Sequence, residues 1–350
     1  MKILLPLLFV ISFVAAQEQK DSVYIKVAKT KSRFGVKKTE HTFNYNVFSQ
    51  LYPIRDNPSV GLISSYTKNE KIIFNVYPVL SLSIYNNFRQ KLRAGKLFSQ
   101  GYSFLFRPQF RMYNEQSNPV KMPSYKVLVG LQHLYRISQK HLVSYSIESG
   151  HYSNGQSGST LTGGGKDGSP LSDSLWKTIT PQTNLSEVIN RTSGDFSTNL
   201  SELMLNYRFI PQLDAYSKPK QIHSFTTGFV IYHARMFGII NAGGYTDNTI
   251  KIYGKWRFLF SYAYTYSWQA GYRIMVSENI EVIAGAHPSV NPLRSVLQTT
   301  FFFPQSLGVF VSYVYGHDDY NLRLVDSGHQ FGGGLTWDIF PPLEIGKGID

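Results

Sequence analysis

The chain has 350 residues, of which only 16% are charged, against the ~25% usual in soluble proteins, while Tyr and Phe contribute 24 each. There is no cysteine, which excludes disulfide scaffolds, thiolate metal sites and cysteine nucleophiles together. The 35 Lys and Arg outnumber the 22 Asp and Glu, a net +13 that suits nucleic acid or an anionic membrane surface. A mean hydropathy of -0.19 fits neither a disordered polyelectrolyte nor a bundle of membrane helices.

Met1 and Lys2 make a short basic start ahead of the largely apolar run Ile3–Ala16. Val14 and Ala16 stand at the small-residue positions that a signal peptidase reads, with Gln17 as the new N-terminus. The run is shorter than the ~20 residues a spanning helix needs, so residues 1–16 are expected to be a secretory signal. Export removes nucleic acid as a partner. The basic residues are also scattered, with one modest cluster from Lys29 to Lys38.

Residues 17–350 read as a single domain of many strands with a two-residue period. In Lys126–Ile137 the odd positions carry Val127, Val129, Leu131, His133, Tyr135 and Ile137, opposite Lys126, Gly130, Gln132 and Arg136, with Leu128 and Leu134 as exceptions. Leu307–Tyr315 sets Leu307, Val309, Val311, Tyr313 and Tyr315 opposite Gly308 and Ser312. The last run, Gln330–Phe340, puts Phe331, Leu335, Trp337 and Ile339 on one side and ends in an aromatic residue. A soluble sandwich gives the same alternation. The number of strands, the Tyr and Phe density and the lack of cysteine favour an all-β fold, a transmembrane antiparallel β-barrel of about 12 strands in the bacterial outer membrane.

Residues 154–198 are rich in Ser, Thr, Asn and Gly and form the expected long external loop. Three N-x-[ST] triplets, at Asn184, Asn190 and Asn199, are what chance supplies in such a composition. Before the loop, Val143, Tyr145, Ile147, Ser149, His151 and Ser153 share one face; after it, Asn199, Ser201, Leu203, Leu205, Tyr207 and Phe209 do. Both lipid faces therefore end at the rim in polar residues. Residues two apart on a strand point the same way, so His151 and Ser153 are side by side, and Asn199 arrives beside them if the strands pair. A serine, an imidazole and a group that orients the imidazole have the logic of a hydrolytic triad. Facing lipid suits such a triad when the substrate is itself a membrane lipid. A polar rim also gives such neighbours, and a porin with a constricting loop is the competing class; it needs its working residues inside, and these point outward.

Gly150-His151-Tyr152-Ser153-Asn154-Gly155-Gln156 resembles the H-x-S-N-G signature of the outer-membrane phospholipase A family, and Ser197-Thr198-Asn199 resembles its S-W-N-R segment. Val314-Tyr315-Gly316 through Asp319-Tyr320-Asn321 to Gly332–Phe340 is similar to the family's last hairpin. The resemblance implies a twelve-stranded barrel that hydrolyses phospholipid acyl esters, activated by calcium and by pairing into a homodimer. It makes Ser153 the nucleophile, His151 the base, Asn199 its orienter and the Gly155 amide an oxyanion donor. Two departures stand out: the loop is long, and Thr198 and Leu200 replace the family's Trp and Arg. The calcium ligands are left with Gln156, through its carbonyl, and Asp167 or Ser169 as candidates. Asn190 rivals Asn199 as orienter but lies in the loop. Outer-membrane lipid A deacylases also carry a His-x-Ser-Asn motif, with a Glu as third member; Glu202 is near in sequence but has the parity of the interior.

Overall fold

Inside a membrane every backbone polar group must be satisfied within the protein, so strands can cross only as a closed sheet. The computed structural model describes residues 59–65, 72–114, 120–138, 140–190, 193–213, 219–240, 243–244, 246–268, 271–304, 307–320, 327–337 and 343–344. The signal at 1–16, the basic cluster Lys29–Lys38 and the terminal Phe340 lie outside the described residues.

The strands are β1 (Ser59–Ser65), β2 (Ile72–Tyr77), β3 (Leu80–Asn86), β4 (Phe98–Tyr113), β5 (Val120–Arg136), β6 (His141–Ser153) and β7 (Ser197–Leu213). They continue as β8 (Pro219–His233), β9 (Gly254–Ser267), β10 (Arg273–Ala286), β11 (Leu293–Phe302), β12 (Leu307–His317) and β13 (Ser327–Trp337), with a short β14 (Leu343–Glu344) parallel to β3. β2 and β3 both pair with β4, end to end, and together make one crossing. Pro78 lies between them; it has no N–H to give a ladder, which accounts for the break. With β2 and β3 taken as one, the sheet is a twelve-stranded antiparallel barrel, closed through β1–β13 and β4–β5.

The alternation in the sequence maps onto the wall as expected. Val127, Val129, Ile147, Leu203, Leu205, Val309 and Val311 are exposed on the outside, whereas Leu128, Ser144, Leu200, Glu202 and Gln330 are buried inside. No register shift occurs between β5 and β6 or between β6 and β7. Aromatic side chains band the wall near both ends, as interfacial girdles do. At the short-turn end His133 stacks between Phe98 (4.9 Å) and Tyr145 (4.6 Å), and Phe225 packs on Tyr262 (4.9 Å). Toward the other end Phe229 meets Trp256 at 6.0 Å and Tyr315 meets His329 at 5.1 Å.

The interior carries paired charges. Glu148 and Glu202 stand directly opposite each other in the β6–β7 register, an arrangement that repels unless a cation intervenes. Arg107 of β4 provides it, 2.9 Å from Glu148 and 3.9 Å from Glu202. Arg107→Ala would bury two carboxylates without that cation, a loss of roughly 3–5 kcal/mol for a broken buried pair. The barrel should then convert to its heat-denatured gel form at a clearly lower temperature, while Arg107→Lys keeps part of the difference.

The long loop closes one mouth of this interior. β7 begins at Ser197, because Ser197 and Thr198 already pair with Ser153 and Tyr152, so the loop is 154–196 and two residues shorter than expected. It carries two short helices, α1 (Pro170–Thr178) and α2 (Leu185–Val188). Its Leu161, Leu185, Ile189 and Phe196 join the inward-facing Tyr152, Leu200, Tyr232, Leu259 and Ile283 in one buried apolar cluster. His287 Nε2 donates to Thr180 O at 2.7 Å and Ser289 Oγ to Thr183 O at 3.0 Å, tying the loop to the β10–β11 turn.

Candidate active site

The β6–β7 ladder sets His151 opposite Asn199 and Ser153 opposite Ser197. All four have outward parity, at the end of the barrel where the loop lies. The Asn199 side chain is fully buried, and two of its bonds fix which way its amide points. Nδ2 donates to Ala234 O at 3.1 Å and to Gly243 O at 2.9 Å. Its Oδ1 therefore faces His151 Nδ1, 3.0 Å away, and can only accept. His151 must carry its proton on Nδ1, which leaves a lone pair on Nε2. That is the tautomer a general base needs.

The hydroxyl nearest to this lone pair is one that sequence reasoning passed over. Ser197 Oγ lies 3.5 Å from His151 Nε2, at the long limit of a hydrogen bond. The parity rule that selected Asn199 also selects Ser197, two residues earlier. Ser153 sits two residues beyond His151 on the same face, half-buried, and its hydroxyl makes no hydrogen bond among the described residues. Gly243 covers Ser197: a Cβ built at this position would lie 2.0 Å from Ser197 Oγ, and its φ of 71° is one that L side chains rarely adopt. Gly243→Val should displace the Gly243 carbonyl from Asn199 and lower whatever turnover the site has by at least ~10-fold, an expected loss of orientation rather than of a reacting group. Unchanged turnover would show that this loop does not shape the site.

Asn154 organises the turn after Ser153. Its Nδ2 donates to Gly194 O at 2.8 Å, and its Oδ1 accepts from the N–H groups of Gln156 and Phe196, both at 3.2 Å. Between them Gly155 takes φ 63°, with its N–H making no hydrogen bond among the described residues. That amide is thus available as a donor beside Ser153. The calcium candidates are placed differently. Asp167 accepts four hydrogen bonds, from Ser159 Oγ, Thr160 N, Thr160 Oγ1 and Ser172 Oγ. Ser169 caps α1 and donates its hydroxyl to Gly164 O at 3.1 Å. Both residues fold the loop, and no group of three or more His, Asp or Glu among the described residues is set to hold a metal. As a ligand set, Gln156, Asp167 and Ser169 do not fit calcium.

Asn190 is equally occupied, donating to Ser159 O at 3.0 Å and to Ser193 Oγ at 3.2 Å, and it is Asn199 that bonds His151. Glu202 faces the interior beside Arg107, with no bulge to turn it outward. Burial of Asn199 also removes its triplet as a glycan acceptor.

A closed antiparallel sheet, an apolar outer wall banded by aromatics and a polar, charge-paired interior occur together in one class of protein. The chain is an integral outer-membrane β-barrel. No protein-family profile and no curated protein sequence matches it. Among solved structures it is similar to the outer membrane phospholipase A of Escherichia coli at 12% identity and TM-score 0.44, over 83% of this chain and 94% of that chain. It is similar to a calcium-bound outer membrane phospholipase dimer of Salmonella typhi at 10% identity and TM-score 0.43, over 81% and 90%. LpxR of Salmonella typhimurium follows at 6% and 0.36, over 81% and 99%. At such values these likenesses carry no argument about chemistry.

Proposed function

We propose that the barrel is a serine esterase that hydrolyses acyl esters of glycerophospholipids in the outer leaflet. The observation that carries this reading is the His151–Asn199 pair, which holds a basic Nε2 on the lipid-facing side of the wall. Ser153 is the nucleophile. Its hydroxyl proton passes to His151 Nε2 as Oγ bonds to the ester carbonyl carbon, and the negative oxygen is met by the Gly155 N–H. As the intermediate collapses, the lysolipid oxygen leaves with the proton from Nε2. A water activated by the same nitrogen then releases the fatty acid from Ser153. Asn199 keeps the ring in place, but as a neutral group it stabilises the imidazolium less than a carboxylate would.

The capped, charge-paired interior supports an enzyme over a porin, since a conduit needs an open path. The inward position of Glu202 supports a phospholipase over a lipid A deacylase with a glutamate third member. Calcium and a homodimer belong to this reading through the motif resemblance alone, and no step above uses them. The test is fatty-acid release from phospholipid micelles by purified protein, with and without a calcium chelator and over a range of protein concentrations. Release is expected. Its absence under every condition sinks the reading, and chelator-resistant release or release proportional to protein removes calcium or pairing respectively.

A further inference from the structure

Two rungs of the ladder carry a second serine–histidine contact that the reaction above does not use. His233 of β8 stands opposite Asn199 on the other side from His151, and Ser201 lies two residues along β7, roughly 7 Å toward the apolar wall. Both have outward parity. His233 Nδ1 is 2.7 Å from Arg235 O, a carbonyl that only accepts, so Nδ1 carries the proton and Nε2 the lone pair. Ser201 Oγ is 3.0 Å from that Nε2 and must be the donor. This is a shorter contact than the 3.5 Å between Ser197 and His151. Ser149, opposite Ser201 in the ladder, brings its hydroxyl to 2.9 Å from Ser201 Oγ and 3.1 Å from Leu200 O. Ser149 Oγ donates its proton to Leu200 O, and its contact with Ser201 Oγ holds the Ser201 hydroxyl in place beside His233.

We propose that Ser201 and His233 are a second nucleophile and base, acting on an acyl ester of a membrane lipid seated deeper than one that reaches Ser153. The depth follows from the ladder. Directly below Ser201 the outer wall continues with Ile147, Leu203 and Phe229, an apolar track for the acyl chain of an ester whose carbonyl sits at Ser201. In the step, Ser201 Oγ bonds to the carbonyl carbon as its proton moves to His233 Nε2. The carbon–oxygen bond of the ester then breaks, and the departing alkoxide takes the proton from Nε2. Water at the rim hydrolyses the acyl-serine by the same route. The proposal rests on the reading that lipid esters meet this face, but not on Ser153 or His151 being catalytic.

The test uses a long-chain alkyl fluorophosphonate, which loses fluoride as a serine oxygen bonds to phosphorus. In the Ser153→Ala, Ser197→Ala double variant, peptide mapping should find a phosphonyl adduct on Ser201. Adding His233→Ala or, separately, His233→Asn to that background should lower the adduct at least ~10-fold, within the range of general-base help. Heat-modifiable gel mobility certifies that each barrel is folded. No adduct on Ser201 in the folded double variant overturns the proposal, and so does an adduct that both His233 variants leave intact. An adduct on Ser153 of the unmodified protein is a separate result and bears only on the first site.

Discussion

His151→Ala is expected to cut fatty-acid release by ~10²–10⁴-fold at saturating lipid, since it removes the group that takes the serine proton. Asn199→Ala should cost less in turnover, because a neutral hydrogen bond that holds a ring is a smaller contribution than proton acceptance. It should cost more in stability. Asn199 is fully buried and its Nδ2 serves Ala234 O and Gly243 O, so alanine leaves two carbonyls without their donor, at ~1–3 kcal/mol for a buried unsatisfied group. The two variants therefore separate by readout: His151→Ala keeps its heat-modification temperature and loses rate, whereas Asn199→Ala loses some of both. Asn190→Ala, whose side chain bonds Ser159 and Ser193 in the loop, should leave turnover near that of the parent. A dead Asn190 variant beside an active Asn199 variant would refute the pairing across the long loop.

The wall of this barrel was legible because a strand repeats every two residues, and lipid enforces apolar side chains on the outer face along the middle of β5, β6, β7 and β12, although Leu128, Leu134 and Leu200 show that the inner face also takes apolar residues. Parity alone placed Val127, Tyr145, Leu203 and Val311 outside and Glu202 inside, as observed. It also placed His151 and Asn199 on one face. What parity cannot supply is the register between strands, since a shift of two residues preserves every face while changing every neighbour. Ser197 became the hydroxyl closest to His151, and His233 the partner of Ser201, only through that register. How the loop packs was hidden for a different reason. Its Ser, Thr, Asn and Gly content signals solvent, yet four separated apolar residues, Leu161, Leu185, Ile189 and Phe196, suffice to dock it on the inward side chains. Asp167 shows the same limit: an acidic residue in a polar loop looks free for a metal until the donors that surround it are seen.

Ser153→Ala is expected to reduce hydrolysis at the first site to background, and Ser197→Ala to leave it within a few-fold of the parent. Ser197 has the recorded contact with this lone pair, at 3.5 Å, so that contact alone would choose it. Access argues otherwise. Gly243 lies against Ser197 Oγ so closely that no Cβ fits, and its carbonyl is held by Asn199 Nδ2, so one side of that oxygen is covered by backbone. Ser153 is followed by the turn in which the Gly155 N–H has no partner among the described residues, so nucleophile and oxyanion donor come from one short stretch of chain. A mean contact tightening only when lipid is bound is common in such sites, which is why the absence of a Ser153–His151 bond at rest does not disqualify it. Losing a rim hydroxyl costs little stability, so both variants should fold, and the rates can be compared directly. Release measured with the Ser201 site removed by Ser201→Ala isolates the first site. In that background, a silent Ser153→Ala together with a dead Ser197→Ala would transfer the nucleophile to β7 and make the Gly243 loop a segment that must open for catalysis.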